Sequence, residues 1–523
     1  MKQTISVNDL SSVSETLSLA LAKATHPQSV RYADVRLQVS EGIGSYSEDG
    51  TPKMTSMDWS ASLGVRVIAG TQLTAAGYYG TQLGLMDFKR LDRVLNKALS
   101  TASERARANT LGKTRFVKRS GIIGNSVQST ELVPIPVMKA VVRAEFSIDP
   151  RSIDAKRITD FTCSAAQAAK AFHPDVKRVE LVVNSDVSRQ IFASSEGAYI
   201  DQSTCSSGGT VFVVAQNGKG GSPADLYHHT GNQLGFEAVS EGKNAHNKDL
   251  QAFSVQIADE AVKLANAKPA PKEDRPVVVV IDPDLVALFA HEIIGHPSEL
   301  DRAIKMEAGY AGRSWFFQDL THTMVGKRVG SPLLTAFSDP TLRGGYGYYL
   351  YDDEGTPARR VTHIQNGIYR DFMNSRQTAH VARVKPNGHY KANDASVVPL
   401  IRMSVSAIAP GKSDPIKMIS EVKRGYYCVG HRIPSISESR ENFQIAPRLI
   451  YEIRNGELGQ IYRDGRVTAD SKDFFLSIDA VGNDFTVFPI PNCGKGQPMQ
   501  AKPVGNGGPS VRGMARIAQG EYR

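Results

Sequence analysis

Two histidines and a carboxylate fall together in His291-Glu292-Ile293-Ile294-Gly295-His296, with Glu299 and Asp301 close behind. Imidazole nitrogens bind zinc and similar divalent cations, and an adjacent carboxylate can take a proton from a water that such an ion activates. The set reads as the core of a metal-dependent hydrolytic site. Its spacing departs from the H-E-x-x-H helix, whose histidines stand four apart on one face. Five helical steps put two side chains about 140° apart. Both rings reach one ion only where the helix ends, bends or bulges between them. Gly295 tolerates such a break, and Pro297 disfavours helical angles at His296. The spacing therefore predicts an interruption at the second histidine. A second reading keeps these histidines as helix caps or members of a polar core, with no metal.

A soft ligand lies far downstream. The four cysteines, Cys163, Cys205, Cys428 and Cys493, are too scattered for a disulfide framework or a CxxC pair. Three read as small buried apolar residues. Cys493 stands in the turn-like run Pro491-Asn492-Cys493-Gly494-Lys495-Gly496-Gln497, where Lys495 favours a thiolate. Thiolate is a strong zinc ligand.

The elements that must position these groups can be read from periodicity. Residues 14–25 form an apolar-periodic helix, with Ser6 or Asn8 as candidate caps. Alternating strands follow at 32–39 and 59–68, then a helix at 86–108 and a long polar connection over 109–134. A helix over 151–172 precedes strands at 178–185, 188–195, 197–203 and 209–216. Residues 217–223 form a hairpin turn and lack the pattern of a phosphate loop. After a helix at 248–266, the Pro- and Lys-rich stretch 267–276 reads as a linker. Val277–Ile281 is a buried strand, and a helix starting near Pro283 runs into the histidine motif. Beyond about residue 340 the turns and short strands suit a β-rich unit. The fold class expected is α+β: an N-terminal α/β region over 1–130, a central α/β region over 131–266, and a β-rich C-terminal domain over 277–523 that carries the metal-binding helix.

Composition excludes several classes. A hydrophobic fraction of 41% with 22% charged residues suits a globular chain, and no apolar run approaches the roughly 18–20 residues of a membrane helix. The first residues carry polar groups through their apolar positions, so a signal peptide is not expected and a cytoplasmic location is the default. The net charge of +9 is spread along the chain without a basic block. No direct nucleic-acid contact is expected from it.

At these residues the chain resembles the TldD/PmbA family of metallopeptidases, in its TldD-type branch. The resemblance rests on the histidine motif with Glu299 and Asp301, and on Tyr351-Asp352-Asp353-Glu354-Gly355-Thr356-Pro357-Ala358. It extends to Pro399-Leu400-Ile401-Arg402-Met403, Pro410-Gly411-Lys412, Val481-Gly482-Asn483-Asp484 and Cys493-Gly494-Lys495, and in the first half to residues 33–36 and 64–68. It implies zinc held by His291, His296 and Cys493, with Glu292 as general base. It also implies a dimer, either of identical chains or with a PmbA/TldE-like subunit, enclosing a cavity that admits unfolded peptides. Peptide-antibiotic precursors and labile antitoxins are substrates of that kind. The segments flanking Cys493 and residues 430–439 depart from the family pattern, which bears on substrate and partner choice more than on the metal site.

Two imidazoles and one thiolate would leave zinc one open position, the arrangement of a catalytic site. Glu299 and Asp301 are candidates to orient a ligand histidine, or else ordinary surface charges. His322, His363, His380, His389 and His431 have no ligand spacing and read as surface or hydrogen-bonded residues. Arg402 could hold a carboxylate or a backbone carbonyl, and reads first as a structural salt bridge. Substrate peptides would add a strand to an unspecified sheet edge. Two rival functions remain: a non-catalytic accessory subunit of such a complex, and a gyrase- or nucleic-acid-associated modulator.

Overall fold

Alternation shapes the first half of the chain. In the computed structural model, which describes residues 6–25, 29–120, 129–218, 220–307, 309, 312–432 and 434–519, seven strands form one sheet. These are β1 (Val30–Glu48), β2 (Thr51–Ala69), β3 (Ala75–Gln82), β4 (Lys139–Val142), β5 (Val176–Ser194), β6 (Tyr199–Ala215) and β7 (Ala224–Asn232). They run in the order β3-β2-β1-β5-β6-β4, with β7 also on β6; β4 is parallel to β6 and the other pairs are antiparallel.

The sheet has two unlike faces because strand side chains alternate. Leu37, Val39, Leu63, Val187 and Ile191 lie beneath the helices Ser14–Ala24 and Leu91–Ser120. Val179, Leu181, Val211 and Val213 lie beneath Ala155–Ala171 and Leu250–Asn266. The alternate positions are polar and fall into rows through the register. Gln38 faces Ser62 and Gln190, and Gln190 faces Gln202. Ser40 faces Ser60 and Ser188, and Ser188 faces Thr204.

The second half forms a ten-stranded and a six-stranded sheet. Val277–Ile281 lies inside the larger one, between Val511–Gln519 and Arg424–Val429. The Pro-rich stretch before it is stitched into the same sheet, since Lys268 and Pro269 pair with Tyr462 and Arg463. The smaller sheet ends in Val405–Ile408, Gln500–Gly508 and Thr486–Lys495, and the last of these is an edge strand. The histidine-bearing segment packs on Val405–Ile408 and Gln500–Gly508. Leu285, Val286, Phe289, Ile293 and Ile294 bury themselves there with Met403, Ile408 and Val504. Each fully buried side chain of this size contributes about 1.5–3 kcal/mol.

Several boundaries differ from the sequence reading. The separate strands at 178–185 and 188–195 are one strand, β5, and those at 197–203 and 209–216 are one strand, β6. Asp186, Ser206 and their polar neighbours look like turn residues in sequence, but they point to the polar face of continuous strands. The connection expected from 109 is helical through Ser120. Thr110 and Lys113 there donate to carbonyls at the sheet edge, at Ala69 and Thr74, so polar anchors replace the apolar stripe. Residues 121–128 of that connection lie outside the described residues. Of the two candidate caps, Ser6 accepts from the Asn8 N–H of a short 3₁₀ turn, and the helix Ser14–Ala24 follows as a separate element.

Candidate metal centre

Asp282 starts the segment that carries the two histidines. Its carboxylate accepts the Leu285 N–H at 2.9 Å, and Pro283 occupies the first turn, where its missing N–H leaves no bond unmade. The α-helix runs from Pro283 to Phe289 and then widens into a π-helical turn over Ala290–Gly295. The His296 N–H donates to the His291 carbonyl, an i→i+5 bond. That widening answers the spacing problem, because a five-residue hydrogen-bond step brings the two rings to one side. Their centroids are 4.7 Å apart. Gly295 leaves room for Met403, whose Sδ stands 2.1 Å from where a Cβ would sit.

One expectation fails here. His296 keeps helical angles, φ −56° and ψ −47°, despite the following proline. The interruption lies in the hydrogen-bond register before it, and the chain leaves helical geometry only at Glu299.

Cys493 arrives from the edge strand Thr486–Lys495, just past a bulge after Ile490. Arg402 donates to its carbonyl and, at 3.1 Å, to that of Gln500. Arg402 is therefore a backbone anchor and not the salt bridge expected of it. The strand delivers Sγ to 3.8 Å from His296 Nε2. Ligand atoms of His291, His296 and Cys493 all lie within 4.8 Å of one another, and all three residues are buried.

Each imidazole is oriented through its other nitrogen. His291 Nδ1 meets Asn506 Oδ1 at 3.1 Å, and His296 Nδ1 meets Glu299 Oε2 at 3.2 Å. Both Nε2 atoms are thereby left to the cysteine. Burial alone would raise the Cys493 thiol, but the two histidines overcome it and hold the group well below its usual value. Burial would lower His291, yet the thiolate raises it to about 9. The donor set is thus a thiolate and imidazoles whose charge a cation can take over by displacing a proton. Tetrahedral zinc places N and S ligands about 3.3–3.6 Å apart. The His296–Cys493 separation of 3.8 Å is near that range, and the others, within 4.8 Å, reach it by drawing the three side chains together.

Around this cluster lies a buried ionic layer that the sequence shows only in part. Glu299 Oε2 also accepts from Arg302 Nε at 3.0 Å and faces Lys495 Nζ at 3.2 Å. Asp301 touches neither ring. It accepts from Lys495 Nζ at 2.7 Å and from the Ile401 N–H at 3.2 Å. Lys495 is therefore not the direct partner of the thiolate that its position in sequence suggests; its ammonium contacts the two carboxylates and the Ile401 carbonyl. Asn506, Arg302 and Arg440 were not singled out from sequence. Arg440 Nη1 donates to Glu292 Oε2 at 3.0 Å. Burial would raise the Glu292 carboxyl, and His296, His291 and Arg440 bring it below the ordinary range.

The other five histidines of the C-terminal half are not part of the ligand cluster. His363 and His389 are fully buried and hydrogen-bonded, His322 and His380 are exposed, and His431 faces Asp284 at 3.2 Å.

Residues 274–515 match the model of the PmbA/TldA metallopeptidase C-terminal domain, and residues 148–268 that of the central domain. A metalloprotease of Methanocaldococcus jannaschii is 26% identical over 493 residues, covering 93% of this chain and 97% of that protein. A zinc metalloprotease TldD homolog of Saccharolobus solfataricus is 25% identical over 371 residues, covering 71% and 77%. TldE from Thermococcus kodakarensis shares the fold, with a TM-score of 0.69 at 17% identity over 96% of this chain and 99% of that one.

Proposed function

The chain belongs to the PmbA/TldD family of metallopeptidases, and we propose that it is a zinc-dependent peptidase acting on unstructured peptides, with His291, His296 and Cys493 as the ligands and Glu292 as the general base. The observation that carries this reading is the convergence of one thiolate and two Nδ1-anchored imidazoles within 4.8 Å, beside Glu292. Zinc bound there supplies Lewis acidity for the scissile carbonyl and makes a water acidic enough to lose its proton near neutral pH.

The chain's own residues do the rest. Arg440 holds Glu292 through Oε2, while Oε1 accepts no hydrogen bond among the described residues. That oxygen takes the proton of the attacking water and returns it to the leaving amine. Glu299 and Asn506 keep the two rings turned so that Nε2 faces inward, a common use of groups behind metal ligands. Asp301 and Lys495 hold Glu299 in place from behind. An extended peptide adds to the edge strand that carries Cys493, so main-chain pairing brings it past the cluster with little demand on side chains. The fold shared with TldE supports a working dimer, built from two copies or with a TldE-like chain, that restricts entry to unfolded peptides.

The test is mass spectrometry of an unstructured peptide mixture incubated with the zinc-loaded chain, alone and with a TldE-like partner. Cleavage that disappears on chelation and in Glu292→Gln supports the proposal. An intact mixture under both conditions, at full zinc content, overturns it.

A further inference from the structure

Between the polar face of the N-terminal sheet and the C-terminal half lies a cavity of about 510 Å³. Its floor is the set of register-aligned rows already described. Gln38, Ser40, Ser62, Ser188, Gln190 and Thr204 present amides and hydroxyls there in place of apolar groups. Its roof includes Tyr346–Tyr349, Lys391 and Lys502.

Lys502 is the group that lacks an explanation. Lys391 pairs with Asp353 at 2.6 Å. Lys502 is half-buried on the cavity wall and makes no hydrogen bond and no ion pair among the described residues. Asp186, across the cavity, bonds Ser206 and lies beyond ion-pair distance. Burial, then Lys391 and Arg402, lower the Lys502 ammonium to about 8 against the opposing pull of Asp353 and Asp186, so it is still mostly charged at neutral pH. A half-buried cation with no direct partner leaves its hydrogen-bonding positions open to an anionic group of a ligand.

Position suggests which anion. Lys502 is the residue directly across from Cys493 in the ladder between Thr486–Lys495 and Gln500–Gly508. Facing residues project from the same side of a sheet, with Cα atoms about 4.5–5.5 Å apart. A peptide anchored at Lys502 is therefore within about two to four extended residues of the cluster, at roughly 3.3–3.6 Å each.

We infer that this cavity is a substrate subsite in which Lys502 receives a carboxylate of the bound peptide while the amide and hydroxyl floor receives its main chain. The inference rests on the peptidase reading. The carboxylate can be the C-terminus or an acidic side chain, and the experiment separates them.

Libraries of randomised unstructured decapeptides are prepared as C-terminal acids and as C-terminal amides, each with Glu or with Gln at internal positions. Cleavage by the zinc-loaded chain and by Lys502→Gln is followed by mass spectrometry. The parent is expected to cut one carboxylate-bearing form roughly tenfold faster than its neutral counterpart. Lys502→Gln should abolish that preference while keeping its zinc. A preference for acids over amides identifies the terminus, and one for Glu over Gln the side chain. Equal rates for all libraries overturn the inference and leave the peptidase reading standing. If the parent cuts none of them, that reading is what fails. Fluorescence anisotropy with the same libraries then decides the subsite separately: carboxylate-dependent binding lost in Lys502→Gln upholds it, and indifference removes it.

Discussion

Glu299→Gln separates two jobs that lie on one carboxylate. In the parent, Oε2 accepts from His296 and Arg302 and forms an ion pair with Lys495, while Oε1 accepts nothing among the described residues. The amide oxygen of glutamine can take the Oε2 position and keep accepting. Its NH₂ then occupies the Oε1 position as a buried donor without an acceptor, and one negative charge leaves a site that is fully buried. Removing a partner from a buried ion pair costs about 3–5 kcal/mol. Because the bonds to oxygen survive in neutral form, about 2–3 kcal/mol is expected, most of it from the unmade bond and the under-compensated Lys495. The imidazole also loses its carboxylate, which lowers metal affinity roughly 10–100-fold. Asp301→Asn is the control. It disturbs Lys495 as much but touches neither imidazole, so it should lose comparable stability and keep zinc affinity to within about threefold. Zinc affinity is read by competition against a chromogenic chelator, and stability by urea unfolding in chelator, which isolates the fold from the metal. If Glu299→Gln binds zinc like the parent, or if Asp301→Asn loses as much affinity as Glu299→Gln, the assignment of His296 orientation to Glu299 is wrong.

Three further outcomes are expected. Glu292→Gln should retain zinc and fold and lose cleavage by about 10²–10⁴-fold, so near-parental turnover would remove it from the base role. Cys493→Ala should leave the purified chain with far less zinc by elemental analysis, and full stoichiometry would mean that another group is the third ligand. Lys502→Met should stabilise the protein at pH 7, since the folded state holds this lysine at about 8 against an ordinary 10.5. The unfolded chain binds more protons between those values, so the lysine's penalty is complete below about pH 8 and is relieved as pH rises toward about 10.5. That drop corresponds to roughly 3 kcal/mol, reduced by cavity solvent to about 2. Urea midpoints of parent and variant should therefore differ at pH 7 and converge near pH 10; a constant gap would show that charge is not its origin.

How much of this was legible in the sequence depends on whether a feature is local. The helix start at Pro283, the strand Val277–Ile281 and the hairpin turn before β7 depend on neighbours in sequence, and they fall where the sequence puts them. The long strands do not. Ser185-Asp186 and Ser206-Ser207-Gly208-Gly209 have turn composition, and only pairing with neighbouring strands keeps β5 and β6 continuous. The same limit hides the cavity floor. Each strand shows its own alternation, but that Gln38, Ser62, Gln190 and Gln202 form one row is a statement about register, which no single strand contains.

The histidine spacing shows where sequence constrains without deciding. Five residues rule out an uninterrupted α-helix under both rings, whichever way the chain solves the problem. Pro297 suggests a break in backbone angle, yet the chain instead lengthens one hydrogen-bond step and keeps His296 helical. Tertiary contact selects this solution. Met403 fills the space that Gly295 leaves, and Ile293 and Ile294 are buried in the same core, so a kink that swung the segment off Val405–Ile408 would expose them. Lys495 is the converse case. Its nearness to Cys493 in sequence suggests a partner for the thiolate, but residues two apart in a strand share a face while their long side chains still choose among neighbours. Two buried carboxylates offer an ammonium more than a sulfur already flanked by imidazoles. The thiolate is left to the histidines, and the lysine fixes the carboxylate that turns one of them.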